Sequence, residues 1–119
     1  MGSSRPSAKL TSPLRKRTMA KRYLQVIAHY RAKPEEVETV SGLLHELSTA
    51  SRTEAANISY EYFQGVQDKA HFVILERYRD ADGFAAHRAQ DHFKAIGLGQ
   101  IIPRLESRQI ESYEGPLDD

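Results

Sequence analysis

Between Asn57 and His87 the chain changes its chemical pattern in a way that few folds can accommodate. Two runs of mostly β-branched and aromatic residues, Ile58 to Phe63 and His71 to Tyr78, flank a polar connection that holds Gly65 and Asp68. Side chains of that kind fit a pleated, half-buried surface, and small polar residues let the backbone turn, so the stretch predicts a β-hairpin with a long loop. A helix should follow at once. Asp80 or Asp82 can accept hydrogen bonds from the unpaired amides of its first turn, and Phe84, His87 and Arg88 then share one face at i, i+3 and i+4. A strand pair therefore passes into a helix that starts with an acid and presents a histidine.

The segments on either side complete the pattern. In Tyr23 to Arg31, Leu24, Val26, Ala28 and Tyr30 alternate with Gln25, Ile27, His29 and Arg31, which makes a strand with two partly apolar faces. Such a strand is covered on both sides, on one by helices of its own chain and on the other by a partner subunit. Pro34 suits the first turn of a helix, and Glu35, Glu36 and Glu38 complement the positive end of its dipole. Val37, Val40, Leu43, Leu44 and Leu47 then form one apolar stripe on a helix running to about Ser51. Burying five such side chains is worth about 7–15 kcal/mol before conformational entropy is charged. From Asp91 to Leu105, Gly97 and Gly99 interrupt the pattern and Pro103 limits a short helix, so this part reads as irregular. Glu106 to Tyr113 is polar, with Ile110 and Tyr113 as its main apolar residues, and reads as an edge strand or one exchanged with a neighbouring subunit. The order β-α-β-β-α-β predicts a ferredoxin-like α+β fold with an antiparallel sheet.

Charge separates the chain into two parts. Seven of the 17 basic residues lie in the first 22 positions with no acid among them, which leaves ten basic against 16 acidic groups in the rest. The acidic body argues against nucleic acid as a partner, because affinity for phosphate backbones rests on clustered Lys and Arg. We expect a basic, disordered arm over residues 1–22, one folded domain over residues 23–114 and a tail over residues 115–119. The arm has three readings: an over-called start with Met19 as the initiator, which we favour; a natural basic extension; or a transit segment. Removing residues 1–18 should leave thermal stability unchanged, since they carry no apolar stripe to bury. With no cysteine there is no disulfide framework and no thiolate nucleophile. No apolar run approaches the roughly 20 residues that span a bilayer, so no membrane association is expected, and the lack of cysteine favours a cytoplasmic setting.

The runs IAHYRAKPEEVETVSGLLHEL, SRTEAANISYEYFQ and FVILERYRDADGFAAHRAQDHFKA together resemble the antibiotic biosynthesis monooxygenase domain family over nearly all of residues 23–114. The Lys-Pro helix start, the Glu-x-x-Asn-x-Ser-Tyr approach to the second strand, Glu76-x-Tyr78, and Ala86-His87 followed by His92-Phe93-Lys94 carry the likeness. Ala55-Ala56 departs from it, standing where the family commonly has a Pro-Gly turn. The resemblance implies a homodimer whose two sheets pack into a joined α+β barrel, with a small-molecule pocket in each subunit. Similar domains include cofactor-free oxygenases of quinols and anthrones, haem-degrading proteins and sugar-phosphate isomerases. The haem reading suffers because this chain has no tryptophan and no histidine in the Ala95–Leu98 region.

A cofactor-free oxygenase needs a base, donors for a developing oxyanion and an apolar cavity that admits oxygen. His87 is the first candidate base, with Phe84 and Phe93 as apolar walls, and His29 is the second. Asn57 can orient a substrate oxygen, or it can simply start the strand with an Asx turn. Tyr60, Tyr62 and Tyr78 can bond a phenol or a quinone carbonyl, although Tyr60 and Tyr62 share a face and can equally form an aromatic ladder under the first helix. Glu76 ends its strand on the face of Phe72 and Ile74, so it is either a buried brace or the group that fixes a histidine tautomer, with Arg77 and Arg52 as other partners. No metal site is expected, because His87 and His92 would lie about 140° apart on a continuous helix. The sequence thus supports a monooxygenase without cofactor acting on a small phenolic or enolic molecule. The alternatives are a dimeric ligand-binding domain without turnover and an isomerase of a small sugar phosphate.

Overall fold

The computed structural model describes residues 22–116, so the expected arm over residues 1–22 falls outside it, apart from Arg22, which begins the first strand, and so do the last three residues. The chain forms β1 (Arg22–Ala32), a 3-10 turn (Pro34–Glu36), α1 (Val37–Ser51), β2 (Asn57–Gln64), β3 (His71–Tyr78), α2 (Ala81–Arg88), a π-helical segment (Phe93–Ile101), a second 3-10 turn (Ile102–Arg104) and β4 (Leu105–Pro116). The strands make one antiparallel sheet in the order β2-β3-β1-β4, the ferredoxin-like α+β arrangement. The last strand lies at the sheet edge, where β4 pairs with β1 with one register shift at Arg31/Ala32. No helix among the described residues is long and apolar enough to cross a membrane.

All the helical segments pack on one face of the sheet. Val40, Leu43, Leu44 and Leu47 of α1 are buried against Ala28, Tyr30, Tyr60, Phe72 and Ile74, the period-3.6 stripe meeting the period-2 faces of three strands. The stretch expected to be irregular is instead a wide helix that continues this layer. A π turn closes i→i+5 rather than i→i+4, so a search for helical periodicity misses it. Gly97 leaves room for the Phe93 ring of the same segment, which a Cβ there would meet at 3.3 Å.

Asp80 caps α2, its Oδ1 accepting from the Gly83 amide at 2.8 Å. The helix is brief. Ala89 and Gln90 donate to the carbonyls of Ala86 and His87, each at 3.1 Å, so tight i→i−3 bonds end it before His92. Among the described residues, no helix lies over the opposite face of the sheet. Ile27, Val73 and Leu75 are half-buried there, and Phe63 and Tyr113 are exposed.

Candidate functional site

A cleft of about 860 Å³ lies between the inner sheet face, α2 and the π-helical segment. Its floor is Val26 and Tyr30 of β1, Tyr60 of β2 and Glu76 of β3, and its roof is Phe84, His87 and Arg88 with Phe93, Lys94 and Leu98. Arg108 and Ile110 of β4 form the side. The i, i+3, i+4 face of α2 thus delivers the three residues expected of it. Phe84 stacks beside His87 with ring centres 6.1 Å apart, and Phe93 meets the imidazole edge-on at 5.0 Å.

At the inner end lies a polar cluster. His87 is buried, and its Nδ1 lies 2.9 Å from Glu54 Oε2, while its Nε2 is 3.7 Å from Glu76 Oε1. Burial pushes the His87 pKa down against the pull of Glu54, so the ring is neutral near pH 7. A neutral ring bonded to a carboxylate through Nδ1 carries its proton there and keeps a free lone pair on Nε2. Burial pushes the Glu76 carboxyl up to about 7, partly opposed by the hydrogen bond from Tyr78 Oη to Oε1 at 2.7 Å. Tyr30 is pushed up to about 12, and Tyr60 well above its ordinary range, by the same loss of hydration. Both therefore remain protonated phenols able to donate.

Several residues singled out from the sequence lie elsewhere. His29 points to the uncovered face, where its Nδ1 is 2.9 Å from Nε2 of His71. Strand alternation puts it opposite the cleft-lining Tyr30. Asn57 sits at the bulge that starts β2, and its amide donates to Ser59 O at 3.0 Å, which is the strand-start role. Tyr62 lies under α1 with its hydroxyl 3.4 Å from His45 Nδ1, and Tyr78 stands behind Glu76 as its donor. Arg52 and Arg77 bind Tyr60 O and Gln25 Oε1 rather than Glu76.

The group that holds the His87 tautomer is Glu54, from the connection between α1 and β2, which sequence reasoning missed. No local pattern marks it, since it meets a residue 33 positions away. Tyr30, by contrast, was accessible from the alternation of β1, and Arg108 and Ile110 from the register of β4 once that strand is paired. The ground for expecting no chelation also fails. Because α2 ends at Arg88, His92 is not on a continuous helix with His87, and its Nε2 comes to 2.5 Å from Glu54 Oε2.

Residues 24–97 match the family model described as antibiotic biosynthesis monooxygenase. YcnE of Bacillus subtilis strain 168, a protein named as a monooxygenase, is 31% identical over 69 residues, covering 58% of this chain and 73% of its own. Rv0793 of Mycobacterium tuberculosis, named likewise, is 26% identical over 96 residues, covering 79% of this chain and 91% of its own. The solved structure of Rv0793 superposes with a TM-score of 0.73 over 82% of this chain and 97% of that one. PA3566 of Pseudomonas aeruginosa gives a TM-score of 0.72 at 27% identity over 80% and 94%. With the sheet order, the cleft between sheet and helices, and a matched span that covers more than half of its length, this chain belongs to the antibiotic biosynthesis monooxygenase family.

Proposed function

We propose that this chain is a cofactor-independent monooxygenase of a small phenolic or enolic molecule, a quinol or an anthrone, and that His87 removes the substrate proton. The observation that carries this is the orientation of His87: Glu54 holds Nδ1 at 2.9 Å, so the basic Nε2 is directed to the inner end of a largely apolar cleft. A carboxylate that orients an imidazole also stabilises the imidazolium formed when the ring accepts a proton. Glu76, its carboxyl pushed up to about 7, takes that proton onward once its Oε1, 3.7 Å from Nε2, closes to hydrogen-bonding distance. Tyr60 and Tyr30 supply hydroxyl donors for the oxygen on which negative charge develops. Arg88, Lys94 and Arg108 add three cations to a lining whose one acid is Glu76, which favours the anionic form of the substrate.

For an anthrone the balance closes with dioxygen alone. His87 takes one proton from the CH2 carbon, and the carbanion gives an electron to O2. The radical pair combines into a C–O bond, and the resulting peroxide takes up a proton. Loss of the second C–H proton with O–O cleavage leaves the ketone and water. One oxygen atom enters the product, the other leaves as water, and the substrate supplies all four electrons.

Oxygen uptake in air with a panel of quinols and anthrones, with chelator present, tests the reading. His87→Ala should lower turnover about 10²–10⁴-fold, the usual worth of a positioned base. Activity that falls only in proportion to the folded fraction, or no uptake above the uncatalysed rate with any member, would overturn it.

A further inference from the structure

We propose that Glu54, His87 and His92 form a binding site for a divalent first-row transition-metal ion, with the Glu54 carboxylate, His87 Nδ1 and His92 Nε2 as ligands. The three side chains come from three separate parts of the chain: the α1–β2 connection, the last turn of α2 and the residue before the π-helical segment. Their ligand atoms all lie within 4.8 Å of one another, and both ring nitrogens converge on Glu54 Oε2, at 2.9 and 2.5 Å. Metal–nitrogen and metal–oxygen bonds of about 2.0–2.2 Å put neighbouring ligand atoms about 3 Å apart, so seating an ion requires only small outward shifts.

The chemistry of the set agrees. Two imidazoles and one carboxylate suit zinc or iron(II) and leave further positions for water. The side chains of Glu54 and His87 are 8% and 2% exposed, while that of His92, at 21%, opens a route for the ion. The second nitrogen of His87 faces Glu76, which in turn accepts from Tyr78, so an outer carboxylate already stands behind one ligand.

Occupancy has a consequence for the proton transfer, and this part alone rests on the proposed function. An ion on Nδ1 displaces the proton held by Glu54, and a neutral ring must then carry it on Nε2. The acceptor that faces the cleft becomes a donor, so the bound ion switches the base off.

The experiment is a cobalt(II) titration of the chelator-treated full-length chain, read by visible absorption without substrate. One equivalent should produce d–d bands with a sharp endpoint. His92→Ala and Glu54→Gln should each weaken cobalt affinity at least about tenfold, with folding checked by circular dichroism, while His45→Ala, outside the cluster, should leave it unchanged. Zinc(II) added to the wild type should shift the His87 Nδ1 resonance in nitrogen NMR, a readout that needs no variant to fold. Absence of bands, or bands that survive His92→Ala at full affinity, would overturn the site. Binding without any oxygen uptake would leave the site standing and remove the proposed function; uptake without binding would do the reverse.

Discussion

Glu76 shows how one buried acid ties stability to pH. Its carboxyl titrates at about 7 in the folded chain against 4.5 as an ordinary value, chiefly because burial disfavours the charged form. The folded state therefore binds this proton more tightly than the unfolded state does. The contribution is fully favourable below about pH 4.5 and is lost as pH rises through 7, with a total near 3 kcal/mol on linkage grounds. Glu76→Gln keeps an oxygen for the Tyr78 hydroxyl and removes the titration. Thermal melts at pH 5 and pH 8 should show the variant gaining on the wild type at the higher pH, and an unchanged difference between the two would show that burial does not perturb this carboxyl. Near pH 7 this carboxyl is half-protonated, 3.7 Å from the His87 ring.

Among the elements, α2 is the one whose position decides the site, because it carries Phe84, His87 and Arg88 over the cleft. Its first turn is seated against the α1–β2 connection at Gly83, where an added Cβ would come within 2.7 Å of the Ala56 Cβ. Gly83→Ala should destabilise by about 1–3 kcal/mol through overpacking, and Ala56→Gly in the same chain should recover part of that loss. Denaturant midpoints of the single and double variants measure it; no recovery would mean that the strain lies elsewhere. Asp80→Ala, which deletes the 2.8 Å cap bond, should cost about 1 kcal/mol. Both changes should reduce oxygen uptake beyond their effect on folding, since α2 holds the base.

At the scale of the whole molecule, the described residues put no covering layer on one face of the sheet. Ile27, Val73 and Leu75 form its centre, with Phe63 and Tyr113 exposed at about half their area toward the rim. A four-stranded sheet with an apolar outer face needs a second layer, and the resemblance implies that another copy supplies it. Sedimentation at micromolar concentration should give a dimer of 13.5 kDa chains, and Phe63→Glu with Tyr113→Glu should shift it toward monomer. A wild type that sediments only as a 13.5 kDa species would show that the face stands alone in solution.

Local patterns were enough for much of this fold. The alternation of β1, the apolar stripe from Val37 to Leu47 and the Asp80 start of α2 each act over a few residues, so their elements appear where periodicity and capping place them. The face of α2 likewise announced Phe84 and His87 as neighbours over a cavity. The partners of His87 were not accessible in that way. Glu54 lies in a turn with no periodic signal, and His92 becomes its neighbour only because α2 stops at Arg88 and a π-helical segment re-aims the chain. Likewise, whether a histidine faces the cleft or the open side depended on strand phase: His29 and Tyr30 are adjacent in the chain and on opposite faces of the sheet. Short-range order follows from propensity and pattern, whereas a charge cluster drawn from three distant segments exists only once packing has brought those segments together.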